Sequence, residues 1–341
     1  MLCAVQPQGN QAEKKVSNQQ RTSPYGYERF YFSMFSVKRY LADLILLSIT
    51  IIWGITFVLI QNAITIFPPF AFMAIRFGCA SLILLPFIFG KYAFRPATFH
   101  IRKTDLFHGC VLGILLFLGY GLQTFSLLYT TPGKSGFLTG LSVALVPLFS
   151  FFVLRQRPSL SAIGGIVLAC IGLYLLSFIH LNAINHGDIY ALLCAIAFGL
   201  QLVYTGKYTR NSATEILVIV QFITVTILSM IATVLFEPWK DIAHLHVILQ
   251  PEILIAIFIT AVFATALAYL AQTQIQEFTT PTHVALIFAA EPIFAALADY
   301  FANHHVLGVP AFFGCVLIFC GMLLSELKFS FQKKTAPDTA L

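Results

Sequence analysis

Along this chain, apolar runs of about twenty residues alternate with short polar interruptions. A helix rises 1.5 Å per residue, so about twenty apolar residues cross the roughly 30 Å of hydrocarbon in a bilayer. Ten such segments are predicted, at about 40–60, 69–90, 105–128, 133–154, 159–179, 187–206, 213–236, 251–275, 283–302 and 306–327. Helix-breaking residues separate them: Pro68-Pro69, Pro132-Gly133, Pro158, Asn185 to Asp188, Pro238, Pro251, Pro281 and Asn303. The fold class expected is an all-α membrane protein with ten transmembrane helices. The connections are too short to hold an extramembrane domain.

The pattern also repeats. Gln123-Thr124 and Thr130-Thr131-Pro132 recur 149 positions later as Gln272-Thr273 and Thr279-Thr280-Pro281. At the same offset Gly165, Val167, Leu168, Gly172 and Leu175 match Gly314, Val316, Leu317, Gly321 and Leu324. One unit of five helices is therefore present twice, at 38–179 and 187–327. Five is odd, so the second unit enters the membrane from the opposite face. Two inverted repeats are the architecture of secondary transporters, with a site near the bilayer midplane between them.

Composition sharpens this picture. Hydrophobic residues make up 58% and charged residues 10% of the chain, against about 25% charge in soluble domains. The net charge of +6 is placed by topology. With both termini in the cytoplasm, seventeen of the twenty Lys and Arg fall on the inner side; Lys134 and Lys240 lie outside and Arg76 within a helix. This obeys the positive-inside rule and removes nucleic acid as the partner implied by the charge. Residues 1–37 lack the apolar centre of a signal peptide and read as a polar, disordered cytoplasmic tail, with 328–341 a second one. Met34, just ahead of Lys38-Arg39 and the first apolar run, is a candidate native start. Six of the seven cysteines lie in apolar runs without a CxxC pair, so they read as core residues and neither a disulfide framework nor a metal site is expected.

Several motifs carry a family resemblance. Trp53-Gly54-Ile55-Thr56-Phe57, Pro68-Pro69 and Arg76-Phe77 resemble the opening of the EamA family of the drug/metabolite transporter superfamily. Gly136-Phe137-Leu138-Thr139-Gly140 leading to Val146-Pro147-Leu148 resembles that family's fourth helix, and Ala285-Leu286-Ile287-Phe288 with Ala290-Glu291-Pro292-Ile293-Phe294-Ala295-Ala296 its ninth. The likeness covers about 41–327. It implies a ten-helix inner-membrane carrier that exports small metabolites such as amino acids. One departure is visible: the family's Gly-Glu pair after helices four and nine is replaced here by Leu154-Arg155-Gln156-Arg157 and Ala302-Asn303-His304-His305.

Among individual residues Glu291 stands out, a carboxyl midway along an apolar segment, where charge costs about 2.5–3.5 kcal/mol or more unless paired or neutralised. Two roles are open: a substrate- or proton-coupling carboxyl facing a central cavity, or a structural hydrogen bond with Gln123, Gln272 or a carbonyl freed by Pro292. Arg76, about seven residues into the second segment, either attracts anionic substrate groups, snorkels to the headgroups or pairs with backbone carbonyls. Lys134 reads as an interfacial anchor. Trp53, Thr56, Tyr120, Gln123, Gln201, Tyr269, Gln272 and His283 are the polar and amphipathic groups able to furnish a cavity with apolar walls, each with packing as its alternative. The paired glycines read as sites of close helix contact. Pro147 and Pro292 are expected to bend helices four and nine. They fall about one turn apart in the repeat frame, so an asymmetric cavity is expected.

No enzyme is indicated. His244-Leu245-His246, His304-His305, His108 and His186 lack a dense set of acidic or Cys partners, and Thr131-Pro132-Gly133-Lys134-Ser135 lacks the first glycine of a phosphate loop at the required spacing. The expectation is a secondary transporter working by alternating access, with a small-molecule substrate, surrounding lipid, no cofactor, and a proton as the candidate coupling ion. A drug exporter, an importer of the same fold and a membrane scaffold are the alternatives.

Overall fold

A computed structural model describes residues 39–93, 101–177, 185–237, 248–304 and 308–326. The tails expected at 1–37 and 328–341, and the candidate start at Met34, lie outside the described residues. The regular structure among them is all helical, without a strand. In order they form α1 (Arg39–Ile64), α2 (Pro69–Ala93), α3 (Lys103–Tyr129), α4 (Pro132–Gly140), α5 (Ser142–Leu154), α6 (Leu160–Ser177), α7 (His186–Tyr208) and α8 (Thr214–Phe236). There follow α9 (Pro251–Ala261), a π-helical turn at Val262–Leu267, α10 (Ala268–Gln276), α11 (Pro281–Phe288), α12 (Glu291–Asn303) and α13 (Val309–Glu326). Among the described residues eight spans are long and apolar enough to cross a membrane, with α4–α5, α9–α10 and α11–α12 each counting as one; α6 and α13 are apolar over the shorter stretches Leu160–Leu175 and Val309–Leu324. Their outer faces carry exposed Leu, Ile and Phe, including Leu82, Phe152, Phe236, Phe301 and Phe312, as a multi-pass membrane protein requires.

The 149-residue frame is written into local geometry. Thr131 and Thr280 cap α4 and α11, their side chains accepting from the backbone N–H of Lys134 and His283, and Pro132 and Pro281 open the two helices, where proline's missing N–H costs nothing. Arg155 and His304 end α5 and α12 in the left-handed conformation, with φ of 55° and 56°. Helices four and nine each break in two, at Leu141 and at Ala289-Ala290. The helix breaks fall in register in the two copies, six residues ahead of Pro147 in the first. Leu141 and Ala290 are twins in the repeat frame, while Pro147 lies inside an uninterrupted α5. Pro292 does mark its break, since a proline near a helix start is compatible with the turn before it. The unexpected break ahead of α5 places Gly140 against Pro292, where an added Cβ would come 2.9 Å from Pro292 Cγ.

The two copies interleave. The closest helix pairs are α6 with α13, α3 with α7 and α8, and α2 with α8, all joining one copy to the other. Glycine permits these approaches. A Cβ on Gly172 would lie 2.6 Å from the Gly314 carbonyl oxygen, and one on its twin Gly321 would lie 2.5 Å from the Gly165 oxygen. The α6–α13 crossing is thus reciprocal. Gly109 and Gly113 do the same for α3 against α8, with Val220 and Thr224 at 2.6 and 2.5 Å from an added Cβ. The π turn has no counterpart in the first copy, where the twin positions lie in the middle of α3.

Candidate functional site

The site is assembled around α1. Gly54 lets α1 lie against α12, a Cβ there being only 2.5 Å from Phe294 Cβ. That contact turns Trp53, Thr56 and Phe57 toward the second copy. The wide i→i+5 spacing of a π turn disturbs the carbonyl ladder, and the Trp53 indole N–H donates to the Ala264 carbonyl within it at 2.8 Å. The indole ring packs against Phe288 and Tyr269, with centroids at 4.8 and 5.5 Å.

At the centre Tyr120 and Tyr269, twins 149 residues apart, meet through their hydroxyls, Tyr269 donating to Tyr120 at 3.1 Å. A contact between twins lies on the axis relating the copies. Around it a cavity of about 60 Å³ is lined by Trp53, Thr56, Tyr120, Gln123, Gln201, Tyr269, Gln272 and Glu291, together with Phe198 and Phe288, space for a few waters. Eight of the ten residues named from sequence for binding or coupling thus share one cavity, drawn from both copies. Glu291 opens α12, partly buried, and its twin is Ser142, the first residue of α5, which lines the same cavity. Among the described residues its carboxylate has no hydrogen-bond or ion-pair partner. The bond to Gln123 or Gln272 considered as its structural alternative is not made; the Gln272 amide donates instead to Gln276 at 3.2 Å.

Three residues sit elsewhere than expected. Arg76 neither lines the cavity nor snorkels. It is 2% exposed, donates from Nε to the Thr265 hydroxyl of the π turn at 2.7 Å, and places its guanidinium 4.5 Å from the Tyr120 ring centroid, a cation–π arrangement. It sits behind Tyr120, one side chain away from the cavity. His283 is outside the cavity as well, with Nε2 2.7 Å from Asp43 Oδ1 on α1. Lys134 is no interfacial anchor: its ammonium is buried and donates to Asp188 Oδ2 at 2.8 Å.

The residues missed from sequence are the partners, Asp43, Asp188 and Thr265, and the π turn itself. Asp188 reads in sequence as punctuation before a helix, and it is that too: it exchanges hydrogen bonds with Asn185 as a capping box at the start of α7. A search for acids near helix ends whose distance from Lys134 and His283 could match would have raised Asp188 and Asp43. Nothing in Val-Phe-Ala-Thr-Ala-Leu signals a π turn. Among the described residues no group of His, Cys, Asp or Glu is arranged to hold a metal.

Comparison with known proteins follows the same outline. The model of the EamA-like transporter family matches residues 40–178 and again 185–327. An uncharacterized transporter of Archaeoglobus fulgidus is 32% identical over 292 residues, covering 86% of this chain and 88% of its own. The uncharacterized transporter YoaV of Bacillus subtilis is 22% identical over 295 residues, covering 84% of this chain and 97% of its own. A solved crystal structure at 18% identity superposes with a TM-score of 0.67 over 85% of this chain and 98% of that one, a likeness of fold.

Proposed function

Because this chain belongs to the EamA-like transporter family, we propose that it is a secondary transporter that exports small metabolites, amino acids or close relatives first among them, across the inner membrane by alternating access. In this reading α6 and α13 span the membrane with the other eight segments, both termini are cytoplasmic, and the second copy is inverted relative to the first. No bond is made or broken in the cargo.

One observation carries the reading: side chains from both copies converge on a cavity around the twin tyrosines, with one unpaired carboxylate facing it. A carboxylate so deep in hydrocarbon needs a proton or a cationic group. The ammonium of an amino acid supplies that group, the amides of Gln123, Gln201 and Gln272 offer donors and acceptors to the rest, and Trp53, Phe198 and Phe288 form the apolar wall. Proton and ammonium then compete for Glu291, which couples cargo to the proton gradient.

The test is binding to the purified protein, read by thermal stability across a panel of amino acids, amines and carboxylate metabolites. A ligand at a hundred times its dissociation constant stabilises by about 2.7 kcal/mol. At least one amine-bearing compound should raise the melting temperature of the native protein and fail to raise that of Glu291→Gln. A shift from amine-free carboxylates alone, or an equal shift in Glu291→Gln, would refute the assignment.

A further inference from the structure

Two cross-copy contacts outside the cavity form a matched set, the Lys134–Asp188 ion pair and the His283–Asp43 hydrogen bond. Lys134 and His283 are twins, each the third residue of a helix capped by a twin threonine, with a backbone N–H to hydroxyl bond of 3.3 Å in both. Their partners lie on the first helix of the opposite copy: Asp188 on α7 for Lys134, Asp43 on α1 for His283. Each pair therefore ties one copy to the other.

They lie at opposite ends of the bundle. The Gln61 amide, near the end of α1, donates to the carbonyls of Leu127 and Thr130 at 3.1 Å, four residues from Lys134. Asp43 lies eighteen residues before Gln61 on the same helix, about 27 Å at 1.5 Å per residue. Between those two levels α1 presents Trp53, Thr56, Phe57 and Ile60 to the cavity. The cavity is thus bracketed along α1 by one cross-copy polar contact above and one below.

We propose that Lys134–Asp188 and Asp43–His283 are the two latches of alternating access, one for each end of the cavity, and that they open in turn. This rests on the transport reading above. Both contacts are made here, at 2.8 and 2.7 Å. Exchanging the conformations of two inverted copies carries one pair onto the other, so a state with the first broken and the second intact becomes its converse. Contacts that map onto themselves survive the exchange. These are the Tyr120–Tyr269 bond and the reciprocal Gly172–Gly314 and Gly321–Gly165 contacts, which supply the pivot. A latch opens in one step because a buried carboxylate cannot stay unpaired. With Lys134 withdrawn, Oδ2 keeps only the Asn185 backbone N–H at 3.0 Å, and Oδ1 is buried without a partner already, so the carboxylate needs water.

Lys134→Gln and His283→Gln test this, since both leave the capping carboxylate of Asp188 and the threonine caps in place. The reporter is Ser142→Cys, a near-isosteric change in the cavity lining, in a full-length chain whose seven native cysteines are replaced by alanine. Labelling by a membrane-impermeant maleimide is timed from each side of oriented vesicles. Lys134→Gln should speed labelling at least tenfold from one side only, and His283→Gln at least tenfold from the other. Acceleration from the same side by both variants, or from neither side by either, overturns the proposal. If the cysteine-free chain does not fold, hydrogen exchange of the native chain gives the same reading. Lys134→Gln should deprotect the starts of α4 and α7 alone, and His283→Gln those of α11 and α1 alone; uniform or absent deprotection overturns it. Neither readout needs cargo. Opposite sidedness with no exchange activity would retire the transport reading and keep the latches, while exchange activity without opposite sidedness would do the reverse.

Discussion

Replacing Gly172 or Gly321 by alanine should destabilise the protein by similar amounts, and replacing both should cost much less than the sum. The added Cβ would meet backbone in each case, at 2.6 Å from the Gly314 oxygen and 2.5 Å from the Gly165 oxygen. Ordinary contact begins near 3.4 Å, so α6 and α13 must part by about 0.8 or 0.9 Å. Such overpacking costs typically about 1–3 kcal/mol, against roughly 0.5–1 kcal/mol that alanine contributes over glycine inside a helix. A net loss of about 1–2 kcal/mol is expected for each variant. Both contacts belong to one helix crossing, so the parting that relieves the first relieves the second. The double variant should fall within about 1 kcal/mol of the worse single one. Gly90→Ala is the control, since nothing lies within 4 Å of a Cβ there; the same substitution should stabilise by up to about 1 kcal/mol. Detergent titration in mixed micelles, followed by tryptophan fluorescence, measures all four. Additive losses, or a Gly172→Ala effect like that of Gly90→Ala, would refute the reciprocal crossing.

The Glu237 carboxylate accepts from the backbone N–H of Phe70 and Ala71 at 2.6 and 3.0 Å, capping α2, so Glu237→Ala should cost about 1–2 kcal/mol. Burial outweighs those bonds and holds its carboxyl above the usual carboxylate range. A group that binds its proton more tightly when folded contributes fully below the ordinary carboxylate range and progressively less as pH rises through the raised value. Stability against pH should lose that decline in Glu237→Gln, and an unchanged slope would refute the assignment. Trp53→Phe strands the buried Ala264 carbonyl and should lower stability by about 1–3 kcal/mol; a melting curve unchanged from the native one would contradict the role given to the indole. A Tyr120→Phe, Tyr269→Phe cycle should show a coupling of about 0.5–1.5 kcal/mol, and strict additivity would remove the twin hydroxyl bond.

Much of this was legible in sequence because twin positions force twin geometry. The threonine caps, the opening prolines and the glycine crossing all follow from residues that recur at one fixed spacing. Eight of the ten residues named from sequence line the cavity, since amides and tyrosines spaced along apolar helices have few reasons to be there. The helix breaks were not. Proline marks itself in the sequence, yet the first copy breaks at Leu141, six residues before Pro147, beside the contact of Gly140 with Pro292. Lys134 misled for a related reason. An ammonium near the end of an apolar segment ordinarily snorkels, and its partner Asp188 is 54 residues away, disguised as a helix cap. Arg76 was misplaced because its acceptor, Thr265, belongs to a π turn that leaves no trace in sequence.

The central claim is that this protein exchanges small cargo across a membrane. Counterflow in proteoliposomes tests it directly, with vesicles preloaded with unlabelled amino acids and related metabolites and tracer outside. The account expects tracer to accumulate transiently with one chemical class, above empty vesicles, and to do so far less with Glu291→Gln. Folded, inserted protein that exchanges nothing across the panel, or that exchanges equally well without the Glu291 carboxylate, would contradict it.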